Sequence, residues 1–143
     1  MHYENSKACG GVLLVRDGRA LLARRAVEPR RHYWDVPGGF LEAGEHPADG
    51  ARREALEELG VEVRLGPQLG IFMDQYETAD GFEHTMSIYY LVEEFVGEPR
   101  PDDDVEALAW FGPDEVPDEM AFPHLKQVLE AWQRCASERH AAA

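Results

Sequence analysis

The chain has 143 residues, a formal net charge of −14 and 44% hydrophobic residues, which suits a single domain spanning residues 1–143 around one core. The negative charge argues against a general nucleic-acid binder, which needs a basic face, and the apolar run Gly10 to Val15 is too short for a membrane span or a signal h-region. Cys9 and Cys135 are too few and too far apart for a disulfide or zinc framework, and read as free thiols in a reducing cytoplasm.

Strands are predicted over residues 8–16 and 19–26, flanking the hairpin dipeptide Asp17-Gly18. Residues 27–33 form a basic loop, and Trp34 to Phe40 reads as a short strand running into a glycine turn at Gly38-Gly39. A helix is predicted over residues 47–59, entered through Pro47 and stopped by Gly60. Residues 62–76 carry strand-like runs broken at Gly66-Pro67, and a turn at residues 79–81 precedes an aromatic and aliphatic strand over 85–96. An acidic loop at 97–104 leads to a strand at 105–111 and a turn at Gly112-Pro113-Asp114. The helix predicted over 124–137 has Leu125, Val128, Leu129 and Trp132 on its apolar side. Strands interleaved with two helices predict an α/β fold with a mixed sheet between helices. The six histidines show no metal-ligand spacing and read as surface or loop residues.

The densest chemistry lies in residues 39–61, GFLEAGEHPADGARREALEELGV. Ala48, Ala51, Ala55 and Leu59, flanked by Leu56, mark the packing side of the helix. Arg52 sits near that side, with its stem packed and its head reaching solvent. Glu54, Glu57 and Glu58 are related by i, i+3 and i+4, so three carboxylates share one remaining face, with no lysine at i+4 to relieve them. A hard cation such as Mg²⁺ or Mn²⁺, which prefers oxygen ligands, turns that repulsion into binding. The competing picture, a solvated acidic face, does not account for Pro37-Gly38-Gly39 or for Glu45 at their distances. Gly38 and Gly39 let backbone approach a ligand, with the Gly38 carbonyl available as a further oxygen ligand, and Glu45 can pair with Arg53. Arg24, Arg25, Arg30 and Arg31 concentrate positive charge beside this segment, where planar forks suit phosphate oxygens. A solvated loop with Glu28 as partner is the alternative. Asp35 reads as a strand-edge polar residue.

The same segment matches the pattern G-x5-E-x7-R-E-U-x-E-E-x-G-U at Gly39, Glu45, Arg53, Glu54, Glu57, Glu58 and Gly60, with Ala55 small where an aliphatic residue is usual. On these residues the chain resembles the Nudix hydrolases, and the preceding WDVPGGF run is similar to the segment ahead of their signature. The resemblance implies an α/β/α sandwich over nearly the whole chain. It also implies metal-dependent hydrolysis of a diphosphate bond in a nucleoside diphosphate linked to another moiety. By the same resemblance Glu54, Glu57 and Glu58 ligand Mg²⁺ or Mn²⁺, the Gly38 carbonyl adds to the shell, Arg53 holds the carboxylates and Glu45 supports them. A general base or extra ligand from outside the signature is common in the family. The candidates here are Asp102, Asp103, Asp104 and Glu106, with Glu93 or Glu94 as a second possibility.

Residues 8–65 look like the catalytic part of the NADH and ADP-ribose pyrophosphatase-like group without its zinc ribbon, although the SQPWPFP motif of reduced-dinucleotide hydrolases is absent. Tyr76 stands where dinucleoside polyphosphate hydrolases carry a tyrosine and ADP-ribose hydrolases a proline. Together with Phe72, Tyr89 and Tyr90 it either stacks on a base or belongs to the core. Trp34 reads as core and Tyr33 as exposed. A non-catalytic nucleotide-binding sensor module is the alternative, but such modules usually lose signature carboxylates, and these are intact. An isoprenoid diphosphate isomerase needs a cysteine near the site, and Cys9 is not evidently placed there. Homodimers are common among such relatives.

Overall fold

The computed structural model describes residues 5–142. Its elements are β1 (Lys7–Arg16), β2 (Arg19–Arg25), β3 (Trp34–Asp35), β4 (Gly38–Phe40), α1 (Pro47–Leu59), β5 (Glu62–Arg64), β6 (Gln68–Thr78), β7 (Gly81–Val92), β8 (Glu94–Val96), β9 (Val105–Phe111) and α2 (Pro123–Ala142). Seven strands form a mixed sheet: β3, β2, β1, β7 and β6 lie side by side, β4 adds to β1 and β9 to β2. β1 and β7 run parallel from Lys7↔Thr85 to Leu14↔Val92, and β5 pairs with β8 in a separate ribbon. Among the described residues no helix is long and apolar enough to cross a membrane.

Alternation along the central strands sets the layers. Val12 and Leu14 of β1 share a core cluster with Ala51, Ala55 and Leu59 of α1, whereas Leu13 and Val15 share one with Leu125, Val128, Leu129 and Trp132 of α2. β7 repeats the pattern, with Ile88, Tyr90 and Val92 in the α1 cluster and Tyr89 and Leu91 in the α2 cluster. A strand covered on both faces needs apolar residues at successive positions, and the run Val12 to Val15 meets that need. The outcome is an α/β/α sandwich.

Local chemistry accounts for the turns and caps. Asp17 and Gly18 have φ of 55° and 75°, the two-residue loop whose twist matches an antiparallel pair. His46 caps α1, its ring Nδ1 accepting from the Ala48 amide at 3.0 Å. Gly60, with φ 71°, ends the helix by donating to the Leu56 carbonyl at 3.0 Å.

Three expectations need correction. Gly38-Gly39 is a paired strand rather than a turn, opposite Gly11 and Gly10 of β1. A side chain on Gly11 would meet the Tyr89 ring at 2.5 Å and the Pro37 carbonyl at 2.7 Å, so this close pairing requires glycine. Leu56 is 53% exposed instead of packed, because the buried side of α1 narrows to Gly50, Ala51, Ala55 and Leu59. The strand predicted over 85–96 divides, and its last three residues leave the large sheet as β8.

Candidate active site

One side chain ties the segment after β4 to α1. Arg53 donates from Nε and Nη2 to the two oxygens of Glu45, both at 2.9 Å, and from Nη1 to Glu54 at 3.0 Å and Glu57 at 3.1 Å. Its Nη2 also reaches the Phe40 carbonyl at 3.1 Å. Only a planar fork can serve so many acceptors in fixed directions. The Arg53 bonds, with a further bond from the Glu42 amide, hold the Glu45 carboxyl down at about 2. Glu45 in turn is the main cause that raises Arg53 above its usual range.

Glu58 stands outside this hub. Burial pushes its carboxyl up to about 8, reinforced by the charges of Glu54 and Asp35 and by a hydrogen bond with Glu54, while the Gly38 amide opposes the rise. Glu54 is wedged against β4, where a Cβ on Gly39 would stand 2.6 Å from its carboxyl. This crowded set of oxygen donors with excess negative charge fits a hard divalent cation. The predicted trio is nevertheless split. Glu57, 56% exposed, is turned to Arg53, and among the described residues no group of three or more His, Cys, Asp or Glu is gathered to hold an ion.

Two cavities flank Gly38. The smaller, about 90 Å³, is lined by Glu58, Asp35, Asp104 and Arg25 among others. The larger, about 280 Å³, is bounded by Gly38, Gly39, Phe40, Arg25, Asp35, Asp74, Tyr89 and His124 among others. Asp35 faces both, paired with Arg25 at 2.9 Å. Burial raises its carboxyl against the pull of that arginine. It lies on the edge strand β3, as expected, and from there it also lines both cavities. A wider groove of about 1110 Å³ opens between the β1–β2 turn and α2, and no signature residue lines it.

Sequence reasoning missed Asp74 and placed His124 on the surface. His124 is only 7% exposed, with Nδ1 2.8 Å from Asp74 Oδ2 and Nε2 3.1 Å from Tyr89 Oη. The apolar run Met120-Ala121-Phe122 just ahead of it was the available signal. Tyr89 is both core and cavity wall, whereas Phe72 and Tyr90 are core. Cys9 also lines the larger cavity, against expectation. Burial raises its thiol, which makes it a poor nucleophile.

The predicted arginines diverge. Arg25 lines both cavities, but Arg24 and Arg31 line neither. Arg24 donates to Glu106 at 2.8 Å, and Glu106 also holds His32 at 2.6 Å. Arg31 lies 3.9 Å from Glu28. Of the acidic candidates, Asp104 reaches the smaller cavity, Asp102 and Asp103 are exposed, Glu93 borders the wide groove and Glu94 faces Arg64 at 3.4 Å. The side chain of Tyr76 lies outside the described residues.

Comparison with known proteins agrees with this geometry. The NUDIX domain family matches residues 5–132. A MutT-like protein of Streptomyces ambofaciens is 32% identical over 127 residues, covering 89% of this chain and 77% of that protein. An ADP-ribose pyrophosphatase of Methanocaldococcus jannaschii is 29% identical over 118 residues, covering 82% and 68%. The crystal structure of a MutT NUDIX hydrolase from Burkholderia pseudomallei superposes with a TM-score of 0.80 at 35% identity, covering 90% of this chain and 98% of that one. A family match over that span, together with a hydrolase of the same fold, places this chain in the Nudix family as a Nudix pyrophosphohydrolase.

Proposed function

We propose that this enzyme cleaves the diphosphate bond of a nucleoside diphosphate linked to another moiety, of the ADP-ribose, dinucleotide or nucleotide-sugar type, using Mg²⁺ or Mn²⁺. The observation that carries this reading is the Arg53 hub on Glu45, Glu54 and Glu57, with Glu54 against Gly39 and Glu58 lining the smaller cavity at Gly38. Similarity to an ADP-ribose pyrophosphatase supports the same class. Glu54, Glu57 and Glu58, with the Gly38 carbonyl, would hold the metal. The chemistry supplied by a divalent ion there is neutralisation of diphosphate charge and acidification of the attacking water. Arg53 and Glu45 keep the carboxylates in position, and Glu54 takes the proton of the water. Attack at phosphorus breaks the anhydride P–O bond and leaves two phosphate-ended products. Arg25, which lines the smaller cavity together with Glu58, supplies positive charge beside the diphosphate, while Arg24 and Arg31 are engaged with Glu106 and Glu28. The two free thiols suit a reducing compartment such as the cytoplasm.

The test is hydrolysis of ADP-ribose, NADH, dinucleoside polyphosphates, nucleoside triphosphates and nucleotide sugars with Mg²⁺ or Mn²⁺, with Glu58→Gln as control. Turnover of a nucleoside diphosphate derivative that disappears in the variant supports the reading. Ligand binding without turnover on any member would replace it with a sensor role.

A further inference from the structure

The larger cavity has a polar wall that the hydrolytic chemistry does not use. Asp74 Oδ2 accepts from the His124 ring at 2.8 Å and from the His124 amide at 3.1 Å, and Oδ1 accepts from the Gln75 amide at 2.7 Å. Burial works against this carboxylate, but the bonds from His124 and Gln75 outweigh it and keep its pKa below the usual range. An ionised carboxylate can only accept, so in the neutral ring the His124 proton sits on Nδ1 and the Nε2 lone pair faces Tyr89 Oη. The Tyr89 hydroxyl therefore donates to His124 and keeps its own lone pairs for whatever enters the cavity. Ser87, on the same wall, shares a side-chain hydrogen bond with Cys9.

Charge and shape narrow the occupant. Asp35 and Asp74 face Arg25 alone on this wall, an excess of negative charge that disfavours phosphate and favours a neutral head group. Arg25 lies 5.3 Å over the Phe122 ring, and Phe122 is within 17° of parallel to His124, which provides flat surfaces for a planar ring. A volume of about 280 Å³ lies just below the roughly 300–1,000 Å³ of small-molecule pockets, enough for one ring system.

We propose that this wall selects nucleotides whose base carries an exocyclic amino group, with Tyr89 as the acceptor that reads it and Asp74 and His124 as the positioning residues that fix the direction of the tyrosine hydroxyl. The inference rests on the nucleoside diphosphate reading above and names the head group. A keto oxygen in the place of the amino group sets acceptor against acceptor, and can be received there only by breaking the bond from Tyr89 to His124.

The experiment uses pairs that exchange the amino group for a keto oxygen, which also places a proton on ring N1. Adenosine and inosine monophosphates report binding by calorimetry without turnover, and the ribose-linked diphosphates of the same two nucleosides report hydrolysis. Wild type is expected to favour the amino member about tenfold in Kd and KM, with kcat nearly equal. Tyr89→Phe keeps the ring and brings the ratio close to one. Asp74→Asn, which leaves the hydroxyl in place but loosens His124, lowers it as well. Circular dichroism and melting verify that each variant folds. Equal affinities in wild type, a preference that survives Tyr89→Phe, or no binding of either monophosphate overturns the proposal. Amino-selective binding without hydrolysis would overturn the enzymatic reading instead, and hydrolysis without base preference would overturn this one alone.

Discussion

Arg53 and Glu45, eight residues apart, are joined by two hydrogen bonds of 2.9 Å, one to each carboxylate oxygen. Because Glu45 precedes the cap of α1 and Arg53 lies within it, the pair pins the incoming loop to the helix. It also leaves Nη1 aimed at Glu54 and Glu57. Lysine keeps the charge but has no fork. Arg53→Lys is expected to lower kcat/KM about a hundredfold and to reduce stability only modestly, because the lost charged hydrogen bonds are screened by solvent. Steady-state kinetics and urea unfolding measure the two effects, and wild-type kinetics in the variant would show that the fork is dispensable.

Glu58 gives a pH dependence of defined sign. Its unfolded carboxyl loses a proton near 4.5 and the folded one near 8. Between those values the folded state holds a proton that the unfolded chain has lost. Metal-free stability from this group is therefore fullest below about 4.5 and declines as pH rises to about 8. The difference in melting temperature between wild type and Glu58→Gln, followed from pH 5 to 8 without metal, isolates the effect. A difference that stays constant over that interval would exclude it.

Metal binding has to displace the same proton. Affinity for Mn²⁺ is expected to climb with pH and level off above about 8, with protons released on binding. Calorimetry in two buffers of different ionisation enthalpy counts them. Glu58→Gln should abolish the pH slope and cut turnover about a hundredfold or more, while melting at pH 8 no lower than wild type does, because a crowded buried charge has gone.

Gly39→Ala separates site geometry from folding. The new methyl would lie 2.6 Å from the Glu54 carboxyl, the far end of a flexible side chain. Glu54 must move, so activity is expected to fall at least tenfold with the circular dichroism spectrum unchanged. Full activity in this variant would mean that Glu54 works from another position.

Features that depend on near neighbours were legible from residue order. Pro47 and Gly60 set the ends of α1, Asp17-Gly18 the first hairpin, and the spacing of Leu125, Val128, Leu129 and Trp132 the buried side of α2. Glu45 and Arg53 were also legible as a pair, since eight residues of loop and helix join them. Which carboxylates share the site depends instead on how the elements pack. Glu57 and Glu58 are adjacent in sequence, yet one leans into solvent toward Arg53 and the other is pushed up to about 8 by burial. Likewise, His124 meets Asp74 across 50 residues and Tyr89 across 35, and Asp35 meets Glu58 at the Gly38 cavity. Periodicity tells which side of an element a residue occupies. Desolvation and hydrogen-bond partners depend on which other elements cover that side, and here α2, β6 and β7 close over residues that no local pattern connects.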